Sequence, residues 1–160
     1  MPTPFYHLSI ADTLLKDSQL EPALRQFLRA QRPAFLLGHT APDVQTISGQ
    51  ARRETHFFEL PVERHQTPPW EKMLRLFPEL EAQALGKPAR TAFIAGYLCH
   101  LQADWLWILE LFAPIFGPDQ TWAAKNQPYF YHNVLRAYLD EQIISTLPHS
   151  TGGYLLHAVP

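Results

Sequence analysis

The sequence predicts an all-α fold, a compact multi-helix bundle around one central apolar helix, and three observations carry that expectation. The longest apolar run, "TAFIAGYLCHLQADWLWILELF", spans 91–112, far beyond the usual length of a strand. Convincing alternation of apolar and polar residues, the mark of a half-buried strand, is absent. Fifteen prolines punctuate the chain instead of clustering. With 160 residues, 46% hydrophobic and 18% charged, the chain suits a single domain over 1–160 with a real core, and disorder is excluded.

The elements follow in order. "SIAD" at 9–12 reads as a helix start, Ser9 capping and Asp12 three residues on, with the helix running to about Lys16. In "EPALRQFLRAQR", Pro22 sits where a first turn tolerates it, and Leu24, Phe27 and Leu28 have helical spacing. Pro33 opens a new element, and "AFLLGHTAPD" runs from an apolar turn into a loop. The mixed segment 44–69 reads mostly as loop. Helices are predicted at 70–76, 78–85, 89–112 and 128–147, separated at Pro78, Lys87-Pro88 and Gly117-Pro118.

Composition narrows the function classes. A net charge of −2 argues against a broad surface for duplex nucleic acid. The lone cysteine, Cys99, excludes an intramolecular disulfide and a multi-cysteine zinc site. "MPTPFYHLSIADTLL" lacks a basic start followed by an apolar signal segment, which predicts a cytoplasmic location. The run at 91–116 is long enough to span a bilayer, but His100, Asp104 and Glu110 inside it argue against a lipid-facing helix, and no transmembrane segment is expected.

Those polar residues pose the functional question. His100 and Asp104 are one helical turn apart on one face, and Gly96 lies a turn earlier, where the missing side chain permits close approach of another segment or a ligand. An i, i+4 His–Asp pair either ligates a metal such as zinc or forms a hydrogen-bonded pair in the core. Four further segments place a candidate ligand beside a turn or apolar stretch: "FYHLSIA" (His7), "GHTAPD" (His39, Asp43), "RETHFFELP" (His56) and "FYHNVLRAY" (His132).

Taken together, Gly38 to Asp43, His56-Phe57, Gly96–His100–Asp104 and the histidines at 7 and 132 resemble the zinc-dependent phospholipase C family, related to the single-strand-specific zinc nucleases. The resemblance covers roughly residues 5 to 140. It implies a phospholipase C-like helical bundle and a first metal site of Asp43, His56, His100 and Asp104. It further implies that His7 holds a neighbouring metal, bridged by Asp104, and that His132 belongs to another site. The sequence departs from the family pattern at two ligand positions. Glu110 stands where the family has a histidine, and still offers an oxygen ligand. Arg136 stands where the family has a glutamate, and would grip a substrate phosphate instead. Relatives with three zincs also use an N-terminal tryptophan, which this chain lacks. One or two zinc ions are therefore expected, not three.

The implied chemistry is zinc-dependent hydrolysis of a phosphoester or phosphodiester, with metal-activated water attacking phosphorus and Asp43 or Glu110 orienting that water. The substrate is a phospholipid, a small phosphodiester or single-stranded nucleic acid, and no feature marks a lipid-surface helix. The alternative is a degenerate, non-catalytic member with one structural or sensory metal. His39 is read as a lining or supporting residue, Cys99 as a small buried hydrophobe, and Trp105, Trp107, Trp122 and the aromatics at 129–131 as core. The tail "PHSTGGYLLHAVP" carries a flexible Ser-Thr-Gly-Gly hinge and an apolar end suited to packing on a second copy in a homo-oligomer, or belongs to a shortened form of a longer protein.

Overall fold

The computed structural model describes residues 1–80 and 86–147, and among them all regular structure is helical. The predicted helix at 78–85 lies largely outside the described residues, as does the tail from 148 onward.

Helix α1 (Pro4–Lys16) starts earlier than "SIAD" suggests, because Thr3 is the N-cap and accepts from the Tyr6 amide at 3.3 Å, with Pro4 filling the first turn. Asp12 is thereby placed mid-helix, where it pairs with Lys16 and reaches Arg32 at 3.1 Å. Helix α2 (Pro22–Ala30) is capped by Glu21, whose carboxylate accepts from the amides of Ala23 and Leu24.

The stretch read as an apolar turn is instead helix α3 (Arg32–Thr40), followed by a 3-10 turn (Ala41–Val44). Pro33 is tolerated in the first turn, and the buried Phe35, Leu36 and His39 give the helix a face to pack. Between 44 and 69 only two short helices interrupt the loop: α4 (Gln45–Ser48) and α5 (Arg52–His56). Helix α6 spans Pro69–Leu76.

The central helix α7 runs Pro88–Trp107 and then widens into a π-helical segment, Ile108–Phe116, that contains Pro114. A proline inside a regular α-helix removes an amide donor and clashes with the preceding turn, so the register change accompanies it. Helix α8 (Gln127–Ile144) closes the described fold. Its Asp140 accepts from the Thr3 hydroxyl, tying α8 to the start of α1. No described helix is long and apolar enough to cross a membrane.

Two apolar clusters flank α7. One joins Leu8, Ala11 and Leu15 of α1, Leu28 of α2, Phe35 and Leu36 of α3, and Ala92 of α7. The other gathers Phe58, Val62, Trp105 and Ile108. His100 and Asp104 lie on α7 between the residues it gives to each.

The tightest contact in the fold is between α3 and α7. A Cβ on Gly38 would lie 2.1 Å from the Phe93 carbonyl oxygen, and one on Gly96 would lie 2.2 Å from that of Phe35. The two backbones therefore touch through paired glycines, the close approach of another segment that Gly96 permits. Gly96→Ala is expected to destabilise the protein by about 1–3 kcal/mol or more, because backbone and not a flexible side chain must move. A lowered denaturant midpoint checks this, and an unchanged one would show that the helices can part freely.

Candidate metal centre

The crossing of α3 and α7 brings a backbone carbonyl to His100, a candidate ligand. His100 Nδ1 lies 2.8 Å from the His39 carbonyl oxygen, so Nδ1 is the protonated donor and Nε2 carries the free lone pair. That lone pair faces His56 Nε2 at 3.2 Å, Asp104 Oδ2 at 3.9 Å and Asp43 Oδ1 at 4.0 Å. His56 Nε2 is in turn 3.4 Å from both Asp43 Oδ1 and Asp104 Oδ2.

These separations test the fit of a zinc ion. Four ligands at about 2.0–2.1 Å in a tetrahedron stand about 3.3–3.4 Å apart. The five distances measured here run from 3.2 to 4.0 Å. The donor set of two imidazoles and two carboxylates suits zinc without sulfur. All three of His56, His100 and Asp104 are buried, and Asp43 Oδ2 has no hydrogen-bond partner. Buried polar atoms this close, without mutual hydrogen bonds for all of them, are costly unless a cation pairs with them. The cluster is compatible with zinc binding.

A second triad, His7, His100 and Asp104, also converges. The His7 and His100 rings stack at 3.7 Å, and His7 Nε2 is 3.4 Å from Asp104 Oδ1. Neither nitrogen of His7 has a hydrogen-bond partner, nor does Asp104 Oδ1. Because His100 has only Nε2 free, it can serve one ion at a time. Asp104 is differently placed: its Oδ2 faces His56 and its Oδ1 faces His7.

Further contacts hold the candidate ligands in place. Tyr97 donates its hydroxyl to the Thr55 carbonyl at 2.6 Å, and the Thr55 hydroxyl is 2.9 Å from His56 Nδ1. His56 ends α5, where Phe57 adopts φ 60 and turns the chain away. His39 supports the site through its backbone; its ring is buried against Phe35, with both nitrogens unpartnered.

Glu110, expected as a ligand, His132, expected in another metal site, and Arg136, expected to grip phosphate, have other partners. Glu110 is 56% exposed in the π segment and forms a two-pronged ion pair with Arg64 at 2.7 and 3.0 Å, which lowers its pKa. Its carboxylate is committed to that pair and does not join the histidines. His132 is buried, but its Nε2 accepts the Trp107 indole N–H at 3.0 Å and lies 3.5 Å from the Met1 amino nitrogen. Rings of Trp107, Phe112 and Phe116 surround it. Arg136 donates to Asn133 at 3.2 Å, keeps a buried Nε without a partner, and is near enough for its charge to act on Arg52.

Arg52 is the site residue that the motif reading passes over. Its guanidinium pairs with Asp104 Oδ2 and stands 5.2 Å from the Phe58 ring centroid. The signal was present: Arg52 is four residues before His56, the same one-turn spacing that relates His100 to Asp104.

Charge in the cluster is strongly conditioned by burial. Desolvation first, then the neighbouring histidines, pushes the pKa of His39 to about 3. His100 is likewise lowered to about 3 by desolvation, assisted by His7. Burial works to raise Asp104, yet His7, His100 and Arg52 together hold it well below the usual carboxylate range. Burial raises the Cys99 thiol to about 11, consistent with an inert, small hydrophobe packed on the first cluster.

The family model of zinc dependent phospholipase C matches residues 6–107. The matched span contains His7, Asp43, His56, His100 and Asp104, and ends before Glu110, His132 and Arg136, short of the reach to 140 expected from the motifs. No curated protein and no solved structure matches the chain.

Two outcomes follow. Glu110→Ala is expected to leave metal content unchanged by elemental mass spectrometry; loss of an equivalent would return Glu110 to the centre. The second concerns pH. Unfolded, His39 and His100 take up protons near pH 6.5, whereas the fold resists this until about pH 3. The metal-free protein therefore has its full stability above about pH 6.5 and loses it as pH falls toward 3. Denaturant melts in chelator should show a loss of about 1–3 kcal/mol between pH 7.5 and 5.5. Equal midpoints would contradict neutral burial of the two rings.

Proposed function

The chain belongs to the zinc-dependent phospholipase C family, and from that premise we propose that it is a metal-dependent hydrolase of phosphoesters. The observation that carries this reading is the convergence of Asp43 and of Asp104 on the same two imidazoles, His56 and His100, at 3.2 to 4.0 Å, against the roughly 3.3–3.4 Å edge of a zinc tetrahedron. Asp43, His56, His100 and Asp104 hold the first ion, while His7 and the second oxygen of Asp104 offer a weaker, adjoining position. Zinc held there supplies Lewis acidity, lowering the pKa of water toward about 7 and offsetting charge on the phosphoryl oxygens.

The protein's own groups divide the remaining work. Asp43 is the candidate ligand with a partly exposed side chain; its buried, unpartnered Oδ2 would accept a hydrogen bond from a water at the site and so orient it, but as a tight ligand Asp43 would not also serve as a free base. The neutral state of His100 keeps its nitrogen available as a ligand at physiological pH. Arg136 brings a nearby positive charge and an unused Nε donor suited to a phosphate oxygen. A phosphoester substrate accords with the family; phospholipid, a small phosphodiester and single-stranded nucleic acid are the candidates within that class.

A second reading, a non-catalytic member with one structural or sensory metal, is favoured by the fate of Glu110 and His132. Both have engaged other partners, Arg64 and Trp107, and a larger centre lacks their atoms.

Metal content of the purified wild type and of a His100→Ala, Asp104→Ala variant separates the readings, together with hydrolysis of bis(p-nitrophenyl) phosphate. The hydrolase reading expects zinc in the wild type, and turnover that chelation abolishes and zinc restores. In the variant, turnover should fall by about 100-fold or more. One tightly held zinc without turnover, across a panel that includes phospholipid and single-stranded DNA, would select the structural reading. Zinc-free wild type, with a melt indifferent to chelator, would sink both.

A further inference from the structure

We propose that Arg52 is the substrate-anion residue of this centre, a guanidinium that pairs with Asp104 while no ion is bound and turns its donors to the phosphoryl group once a metal takes that carboxylate. The inference rests on the metal-dependent reading above and assigns a role to a residue outside the expected ligand set.

Asp104 Oδ2 is the atom on which three partners converge. It faces His56 Nε2 at 3.4 Å and His100 Nε2 at 3.9 Å, and it accepts from Arg52 Nη2. A divalent cation and a guanidinium at the same oxygen repel one another, and in a partly buried setting that repulsion is poorly screened. A metal held by Asp43, His56, His100 and Asp104 would keep the carboxylate, so the arginine is the partner that would yield. Two carboxylates offset the charge of one divalent ion, and the imidazoles are neutral donors. Arg52 is then left with its positive charge beside an electrically balanced set, which an anionic phosphoryl oxygen complements.

Three features fit Arg52 for this task. Its side chain is 23% exposed, whereas His56, His100 and Asp104 are closed off, so it borders both the cluster and solvent. Its Nε is buried with no hydrogen-bond partner, a donor whose pairing remains to be met. The Phe58 ring braces the guanidinium plane from one side. Arg136 presents the same buried, unpaired Nε, and its charge acts on Arg52. The planar fork of arginine suits phosphate bidentately.

The competing role for Arg52 is mechanical: it holds Asp104 in orientation, as partners of metal ligands commonly do. The two roles predict opposite effects on metal affinity. Zinc affinity is measured by competition with a chromophoric chelator, and inorganic phosphate binding to the zinc-loaded protein by calorimetry, for wild type, Arg52→Gln and Arg52→Lys. The proposal expects Arg52→Gln to bind zinc at least as tightly as wild type and phosphate at least about tenfold more weakly. Arg52→Lys should keep wild-type zinc affinity and show intermediate phosphate affinity, since it retains charge without the fork. Parallel loss of zinc and phosphate in Arg52→Gln, or unchanged phosphate binding in both variants, would overturn the proposal while leaving the metal centre standing. A wild type that takes up no zinc would instead overturn the metal reading and this one with it.

Discussion

Contact between two glycines, Gly38 of α3 and Gly96 of α7, is the constraint on which the rest of the molecule depends. It lets two helix backbones approach to a distance that any Cβ would forbid. The site is a consequence of that approach. His39 follows Gly38 by one residue and His100 follows Gly96 by one turn, so closing the helices at the glycines sets the His39 carbonyl against His100 Nδ1. The tautomer of the central ligand is thus decided by helix packing, before any ion or substrate is involved.

The same geometry explains why the most apolar helix of the chain carries its most polar residues. Burying an imidazole and a carboxylate is costly in isolation. Here the cost falls on one compact group, flanked by apolar clusters that supply most of the stabilisation. His100, His56, His7 and Asp104 lean on one another within 3.9 Å, and Arg52 neutralises part of the negative charge. His100 and Asp104 therefore sit on the long central helix, while Asp43 comes from a 3-10 turn and His56 from the end of a short helix, and of this group Asp43 and Arg52 reach toward solvent.

Much of this was legible in the sequence because it is local. The i, i+4 spacing in α7 and the length of its apolar run indicate a buried helix with two candidate ligands on one face. The family pattern then joins His7, Asp43 and His56 to them across the chain. What was not legible depends on partners that spacing does not reveal. Glu110 reads as a ligand by its distance from Asp104, but the π segment and Arg64 take it to the surface. His132 packs among aromatic rings, and no motif indicates that the Trp107 indole claims its Nε2. The helix at 32–40 was hidden by Pro33, whose place in a first turn looks identical to a break. Arg52 escaped notice because arginine is not a metal ligand, although its spacing from His56 was in view.

One feature bears on how this site can change over generations. Supports for a metal-binding imidazole are often side-chain carboxylates, and a single base change can delete such a group. Here the support is a main-chain oxygen, which every residue type at position 39 would supply. Drift at that position can alter the ring, its bulk and its buried nitrogens, yet it leaves the acceptor intact. The tautomer of His100 is heritable through the path of the backbone, not through the identity of a neighbour, and so it can outlast the turnover of the side chains around it.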